Sequence, residues 1–279
     1  SANVKTPLDA CIVLRNKIEK IVRYQDTGLD LYPTIDETYR SGIGTCDGLC
    51  NFIAYVMRSV GIPVTIDQTT WVKMDRGHCW CAVLDNGHFH SFGENLAPGT
   101  HARSFSETRS LRPAKVYRQR FDPFLTADYG KNDDGYAVYF KSPLIQDVTT
   151  EYLDKPTTIK VAIDIDLKEN KHSNQVYLCN FNYNKWTDIA LGYRKDSICY
   201  FNDVVGDNIF MIADAPNKNS LRFITAPFYV STEGEIHKFI PEVQKKRSYT
   251  IHKRPAGYKE LHTLSYWDTQ SKSFISLKY

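Results

Sequence analysis

Gly42-Ile43-Gly44-Thr45-Cys46 opens a stretch that closes at Val60-Gly61-Ile62-Pro63, and its reading decides the first half of the fold. From about Cys46 to Val60 the apolar positions are Leu49, Phe52, Ile53, Val56, Met57 and Val60, a sustained helical stripe. Gly61 suits the position just past a helix end and Pro63 cannot continue the helix, so the segment stops there. The glycines ahead of Cys46 let backbone approach closely and place the cysteine where the helix's first N–H groups have no partner within it. A helix N-terminus stabilises a thiolate, and the same N–H groups can receive a developing oxyanion. A buried structural cysteine is the plainer account of such a residue taken alone.

On the N-terminal side, Pro7-Leu8-Asp9 opens a helical pattern carrying Ile12, Val13, Ile18, Ile21 and Val22, and residues 26–44 read as a loop. Past Pro63 the period changes to two. Val64 and Ile66 begin a short strand; residues 78–84 lead into Asp85-Asn86-Gly87, a strong turn signal, and out again through His88 to Phe92. Arg112 to Phe121 reads as a further strand. His78 therefore starts a strand, a rigid place from which to present an imidazole as general base. A three-residue loop at Asp85-Asn86-Gly87 puts Glu94 opposite His78 on the same face, and a two-residue loop puts Asn95 there. Either side chain can orient the ring as a third catalytic member must. Asp85 is better explained as a turn residue, and His88 and His90 read as surface. Trp71 and Trp80 flank His78, as core or cleft-wall packing or as substrate-binding residues.

The second half is all-β in character. Ile159, Val161, Ile163, Ile165 and Leu167 alternate with polar residues as a half-buried strand should. Further strands are expected at Val176–Phe181, Ile198–Phe201, Ile209–Ile212, Phe223–Val230 and Ile236–Ile240, separated by turn residues at the spacing of a sandwich. The change of character falls between residues 120 and 146.

Gly44-Thr45-Cys46, then Met57-Arg58-Ser59-Val60-Gly61-Ile62-Pro63-Val64, then Gly77-His78-Cys79-Trp80 resembles the bacterial transglutaminase-like superfamily, over about residues 40–100 and more weakly to about 120. The resemblance implies a papain-like α+β domain, a Cys-bearing helix packed on an antiparallel sheet, with Cys46 as nucleophile, His78 as base and Glu94 as orienting acid. That family usually has Asp at the third position, where this chain reads Ser91-Phe92-Gly93-Glu94-Asn95. Residues from Asp147 to about 254 resemble the β-sandwich module that follows such domains in some bacterial extracytoplasmic proteins. The implied organisation is a transglutaminase-like domain over 1–120, a connecting segment over 121–146, a β-sandwich over 147–254 and a β-type tail over 255–279. It implies a cysteine hydrolase acting on a protein or peptide substrate outside the cytoplasm, or else a non-catalytic protein whose β-domain binds protein or glycan.

Composition bounds these readings. The 279 residues are 42% hydrophobic, enough for one large or two modest domains. A net charge of +3, with Lys245-Lys246-Arg247 as the nearest thing to a basic run, argues against nucleic acid as a partner. No apolar stretch is long enough to cross a bilayer. Ser1-Ala2-Asn3 reads as a processed or added end, which leaves open that an upstream export signal was removed. Seven cysteines make an odd count. Cys46 and Cys50 lie one helical turn apart and could ligate zinc together, but Cys79 and Cys81 take the strand face opposite His78, and the Cys-x-x-Cys spacing of structural zinc is missing. A disulfide from Cys50 to Cys79 or Cys81 is open. The expectation is no metal and no cofactor.

Overall fold

A computed structural model describes residues 4–26, 33–72, 76–93, 112–122, 138–153, 156–163, 174–182, 185–239, 265–268 and 273–276. The chain is mixed in class and strand-rich. Helix α1 (Pro7–Ile18) starts at a reciprocal cap in which Thr6 and Asp9 satisfy each other's backbone N–H groups. A two-residue strand β1 (Arg23–Tyr24) pairs in parallel with β2 (Ile43–Gly44). Between them lies α2 (Ile35–Ser41), within the stretch read as loop. It is short, but Thr34 and Glu37 form the same kind of box, with Thr34 N–H donating to Glu37 at 2.8 Å. Gly42 ends it at φ +67, a left-handed backbone that glycine adopts without a Cβ penalty.

Helix α3 (Cys46–Ser59) buries Leu49, Cys50, Phe52, Ile53, Ala54 and Met57 along one face. Each large apolar side chain so buried contributes about 1.5–3 kcal/mol. That face packs on a five-stranded antiparallel sheet in the order β5-β4-β3-β6-β7. Its strands are β3 (Val64–Trp71), β4 (Gly77–Asp85), β5 (His88–Phe92), β6 (Pro113–Gln119) and β7 (Ile145–Asp147). Strand β7 draws the first sheet past the residue-120 limit expected for it. It follows a short helix α4 (Val138–Lys141) and precedes another, α5 (Thr149–Tyr152).

The β4–β5 hairpin settles the loop length. Asp85 pairs with His88, so the loop is Asn86-Gly87 alone, with φ +49 and +79. Asn-Gly tolerates positive φ at both positions, as a tight two-residue turn requires. The three-residue loop that would set Glu94 opposite His78 is therefore not formed.

The second sheet has eight antiparallel strands: β8 (Thr157–Ala162), β9 (Gln175–Asn182), β10 (Lys185–Lys195), β11 (Ile198–Val204), β12 (Asn208–Asn217), β13 (Ser220–Phe223), β14 (Phe228–Val230) and β15 (Ile236–Lys238). They run β15-β14-β12-β9-β10-β11-β8, with β13 on the far end of β12, and hydrogen bonding joins all eight in one sheet. The expected strand Phe223–Val230 is two strands, because after the Ile224 N–H reaches the Ile212 carbonyl, residues 225–227, with Pro227, leave the ladder. A final hairpin, β16 (Ser265–Asp268) with β17 (Ser273–Ser276), closes the described chain.

One core joins the two sheets. Trp71, Trp80, Ala114 and Val116 from the first pack with Leu178, Phe201, Phe210 and Phe228 from the second. Polar contacts across this seam hold the start of β4. Asn182 Nδ2 donates to the carbonyls of Trp71 and Arg76 at 3.1 and 3.2 Å, and Asn180 Nδ2 to that of Trp71 at 3.3 Å. No helix among the described residues is long and apolar enough to cross a membrane.

Candidate active site

Cys46 is the first residue of α3, after Thr45, whose extended backbone caps the helix without a side-chain hydrogen bond. Gly44 is needed beneath it, because a Cβ there would stand 3.1 Å from Thr38 Cγ2 and 3.2 Å from the Leu49 nitrogen. Among the seven cysteines, all free thiols, Cys46 alone is half-buried and the other six are buried. The disulfide left open between Cys50 and the hairpin is not formed.

Strand alternation sorts β4 into two faces. Cys79, Cys81 and Val83 point into the α3 core. His78 and Trp80 lie on the other face, opposite Thr69 and Asp67 of β3. The His78 ring stacks on Trp71 (centroids 5.7 Å, planes 19° apart) and leans on Trp80 at 6.0 Å. The His78 ring is near enough to lower the Cys46 thiol pKa, and both residues line one cleft, so helix tip and hairpin do meet.

Around the thiol the influences that favour its protonated form prevail. A hydrogen bond with Cys79 and then burial push the Cys46 pKa up, the bond with His78 pulls it down, and the Cys79 and Asp47 charges push it up again; the net direction is up. Cys46 Sγ lies 3.6 Å from Asp47 Oδ2, and Cys79 Sγ lies 3.5 Å from Asp47 Oδ1. Cys50 and Cys81 extend the cluster inward through thiol contacts with Cys79 and with each other. At rest, then, Cys46 is a protonated thiol with a base beside it, not a preformed thiolate.

Cys46 and His78 open on a cleft of about 580 Å³, walled by β3, β4, β6 and the Asp188-Ile189 bulge of β10. Lys115 and Arg76 are its basic residues, each engaged elsewhere: Lys115 with Asp147 and the Asn202 and Asp203 carbonyls, Arg76 with Asp26 at 3.2 Å. Burial raises the Asp188 carboxyl above the usual carboxylate range.

Of the residues expected at the site, Cys46, His78 and Trp71 are together on this cleft. Trp80 is not among the residues that line the cleft. It has no exposed surface, and its Nε1–H donates to Tyr152 at 3.0 Å, so it braces the imidazole from behind. Glu94 and Asn95 lie outside the described residues. His88 is exposed as expected, and His90 is half-buried. Asp47, Lys115 and Asp188 were not anticipated. An acid in a helix's first turn passes for dipole compensation, which hides Asp47 in the sequence. Among the described residues, the three donors close enough together to hold a cation are Cys46, Asp47 and Cys79.

Compared with protein-family models and with curated proteins, the chain matches none.

Proposed function

We propose that the chain is a transglutaminase-like cysteine hydrolase, a peptidase or amidase of papain-like fold followed by a β-sandwich module. The observation that carries the reading is the Cys46 thiol, first residue of a helix, sharing a cleft with His78, whose ring acts on it to lower its pKa. The Cys46 sulfur attacks a peptide or carboxamide carbonyl while His78 takes the thiol proton. The carbonyl oxygen gains the negative charge and is held by N–H groups of the first turn of α3, Cys46's own among them. Collapse expels the amine, protonated by His78, and leaves a thioester; water resolves it in a hydrolase, a second amine in a transamidase. Because the thiol is protonated at rest, proton removal belongs to the attack itself, and the rate follows His78's availability as a base. Glu94 is the orienting residue by family resemblance, and Asn95 is the alternative that goes with the two-residue turn.

A second reading follows from the raised thiol pKa: a non-catalytic extracytoplasmic protein that keeps the fold as a scaffold, with protein or glycan bound at the β-domain. The exposed Tyr193, stacked on Tyr200 at 4.9 Å, offers such a face. Peptide and glutamine-amide substrates separate the two readings. In the hydrolase, Cys46→Ala abolishes turnover and His78→Ala lowers it about 10²–10⁴-fold. Turnover absent in the unmodified chain across the panel, or unchanged by Cys46→Ala, favours the scaffold.

A further inference from the structure

We propose that Cys46, Asp47 and Cys79 form a binding site for one thiophilic divalent cation of the Zn²⁺ type, with its fourth position open to the cleft. The donor atoms of the three residues lie within 4.8 Å of one another. A tetrahedral zinc with Zn–S of about 2.3 Å and Zn–O of about 2.0 Å sets neighbouring sulfur and oxygen about 3.5 Å apart. Cys46 Sγ stands 3.6 Å from Asp47 Oδ2 and Cys79 Sγ 3.5 Å from Asp47 Oδ1, so the two sulfurs flank the carboxylate, each at that separation from one of its oxygens.

The frame is rigid. Cys46 and Asp47 are the first two residues of α3, and Cys79 is held within β4 by pairing to Gln68 of β3. All three donors line the cleft, which gives a cation an entry path and a place for water as fourth ligand. Two sulfurs favour Zn²⁺ or Cd²⁺ over Mg²⁺ and Ca²⁺, which prefer oxygen. The two basic residues on the cleft wall are paired elsewhere, with Asp26 and with Asp147, which leaves the space beside Asp47 to a cation. No linear motif announces the trio, because Cys79 comes from a different element than its partners.

The site stands whether or not Cys46 is a nucleophile. Where the hydrolase reading holds as well, cation and acyl group compete for one sulfur, and Zn²⁺ silences turnover until a chelator removes it.

Co²⁺ titration of the reduced, chelator-treated chain tests this without reference to activity. The expected result is one Co²⁺ per chain, with sulfur-to-cobalt charge-transfer absorption and the visible bands of a tetrahedral ion, displaced by Zn²⁺. Cys46→Ser and Cys79→Ser each lose about half the charge-transfer intensity. Asp47→Asn, at a half-exposed side chain that does not endanger folding, keeps the intensity but weakens affinity at least about tenfold. Cys199→Ser, in the second sheet, changes nothing. Absence of a sulfur–cobalt band, or a band and affinity indifferent to the Cys46, Cys79 and Asp47 changes, overturns the site. Failure of turnover in the same preparation bears only on the hydrolase reading.

Discussion

The two faces of β4 carry opposite kinds of polar chemistry. On the face away from α3, Asp67 has no exposed surface and Arg118 is 3% exposed, yet nearly every group there is answered. Arg118 grips both Asp67 oxygens at 2.8 and 2.7 Å, reaches Glu151 at 2.9 Å, and lies over the Phe89 ring at 3.7 Å. Tyr152 donates to Asp67 and accepts from Trp80 and Ser91, each at 3.0 Å. Burial works against the Arg118 charge, but the Asp67 carboxylate outweighs it and raises its pKa. On the face toward α3, Cys79, Cys50 and Cys81 crowd with Cys46 near Asp47, and the thiols of Cys46, Cys50 and Cys79 titrate above their ordinary value. A network of matched charges stabilises and fixes a core, whereas thiols gathered around one carboxylate at a cleft are a place for chemistry. The contrast is the physical reason to look for chemistry at Cys46 and for architecture at Asp67.

Breaking the saturated side should cost most. Arg118→Met leaves Asp67 buried and uncompensated, and a loss of about 3–5 kcal/mol in urea denaturation is expected. A change below about 1 kcal/mol would mean that water reaches Asp67 and that the two faces do not differ as described. Tyr152→Phe keeps the ring but removes the hydroxyl that joins Asp67, Trp80 and Ser91, and should cost about 1–3 kcal/mol. Because Trp80 braces His78, the same variant should also loosen the imidazole, visible as broadening of the His78 ring signals in NMR.

How much of this contrast the sequence discloses depends on whether a local pattern encodes it. The α3 stripe and its Gly61-Ile62-Pro63 stop are strictly local, and the helix lies where they put it, Cys46–Ser59. The alternation that sends Cys79 and His78 to opposite faces is equally local and was equally readable. Strand β10 was not, because a bulge between Asp188 and Ala190 breaks its period of two. Helix α2 is too short for a stripe, and only its Thr34/Glu37 cap marks it. The hairpin loop was ambiguous by one residue, since Asp85 is a good turn former that here ends a strand. The Arg118–Asp67 pair and the Cys46–Asp47–Cys79 trio join elements far apart in the chain, and no single-sequence pattern reports such a meeting.

The thiol side predicts a pH dependence. Cys46, Cys50 and Cys79 all titrate higher in the folded chain than the ordinary thiol value of 9.0. Folding thus favours their protonated forms. Their contribution to stability is complete below about pH 9 and is lost as the pH rises through the folded values. The urea midpoint should fall above pH 9, with Cys79→Ser showing a shallower fall. A midpoint flat to pH 10.5 or so would mean that the thiols ionise alike in both states.

The smallest effect in free energy is the sharpest test of the comparison. The largest influence raising the Cys46 pKa is its hydrogen bond with Cys79, ahead of burial, while His78 acts in the opposite sense. Cys79→Ala removes the first and keeps the last, so Cys46 should become more acidic. Each unit of lowered pKa raises the thiolate fraction about tenfold while the thiol form predominates. Iodoacetamide should therefore label Cys46 faster in Cys79→Ala than in the unmodified chain at pH 7, against the intuition that removing a site residue dulls a nucleophile. Adding His78→Ala should reverse the gain. Should Cys79→Ala instead slow the labelling, Cys79 is not what holds the thiol protonated, and the two faces of β4 differ in composition without differing in electrostatic state.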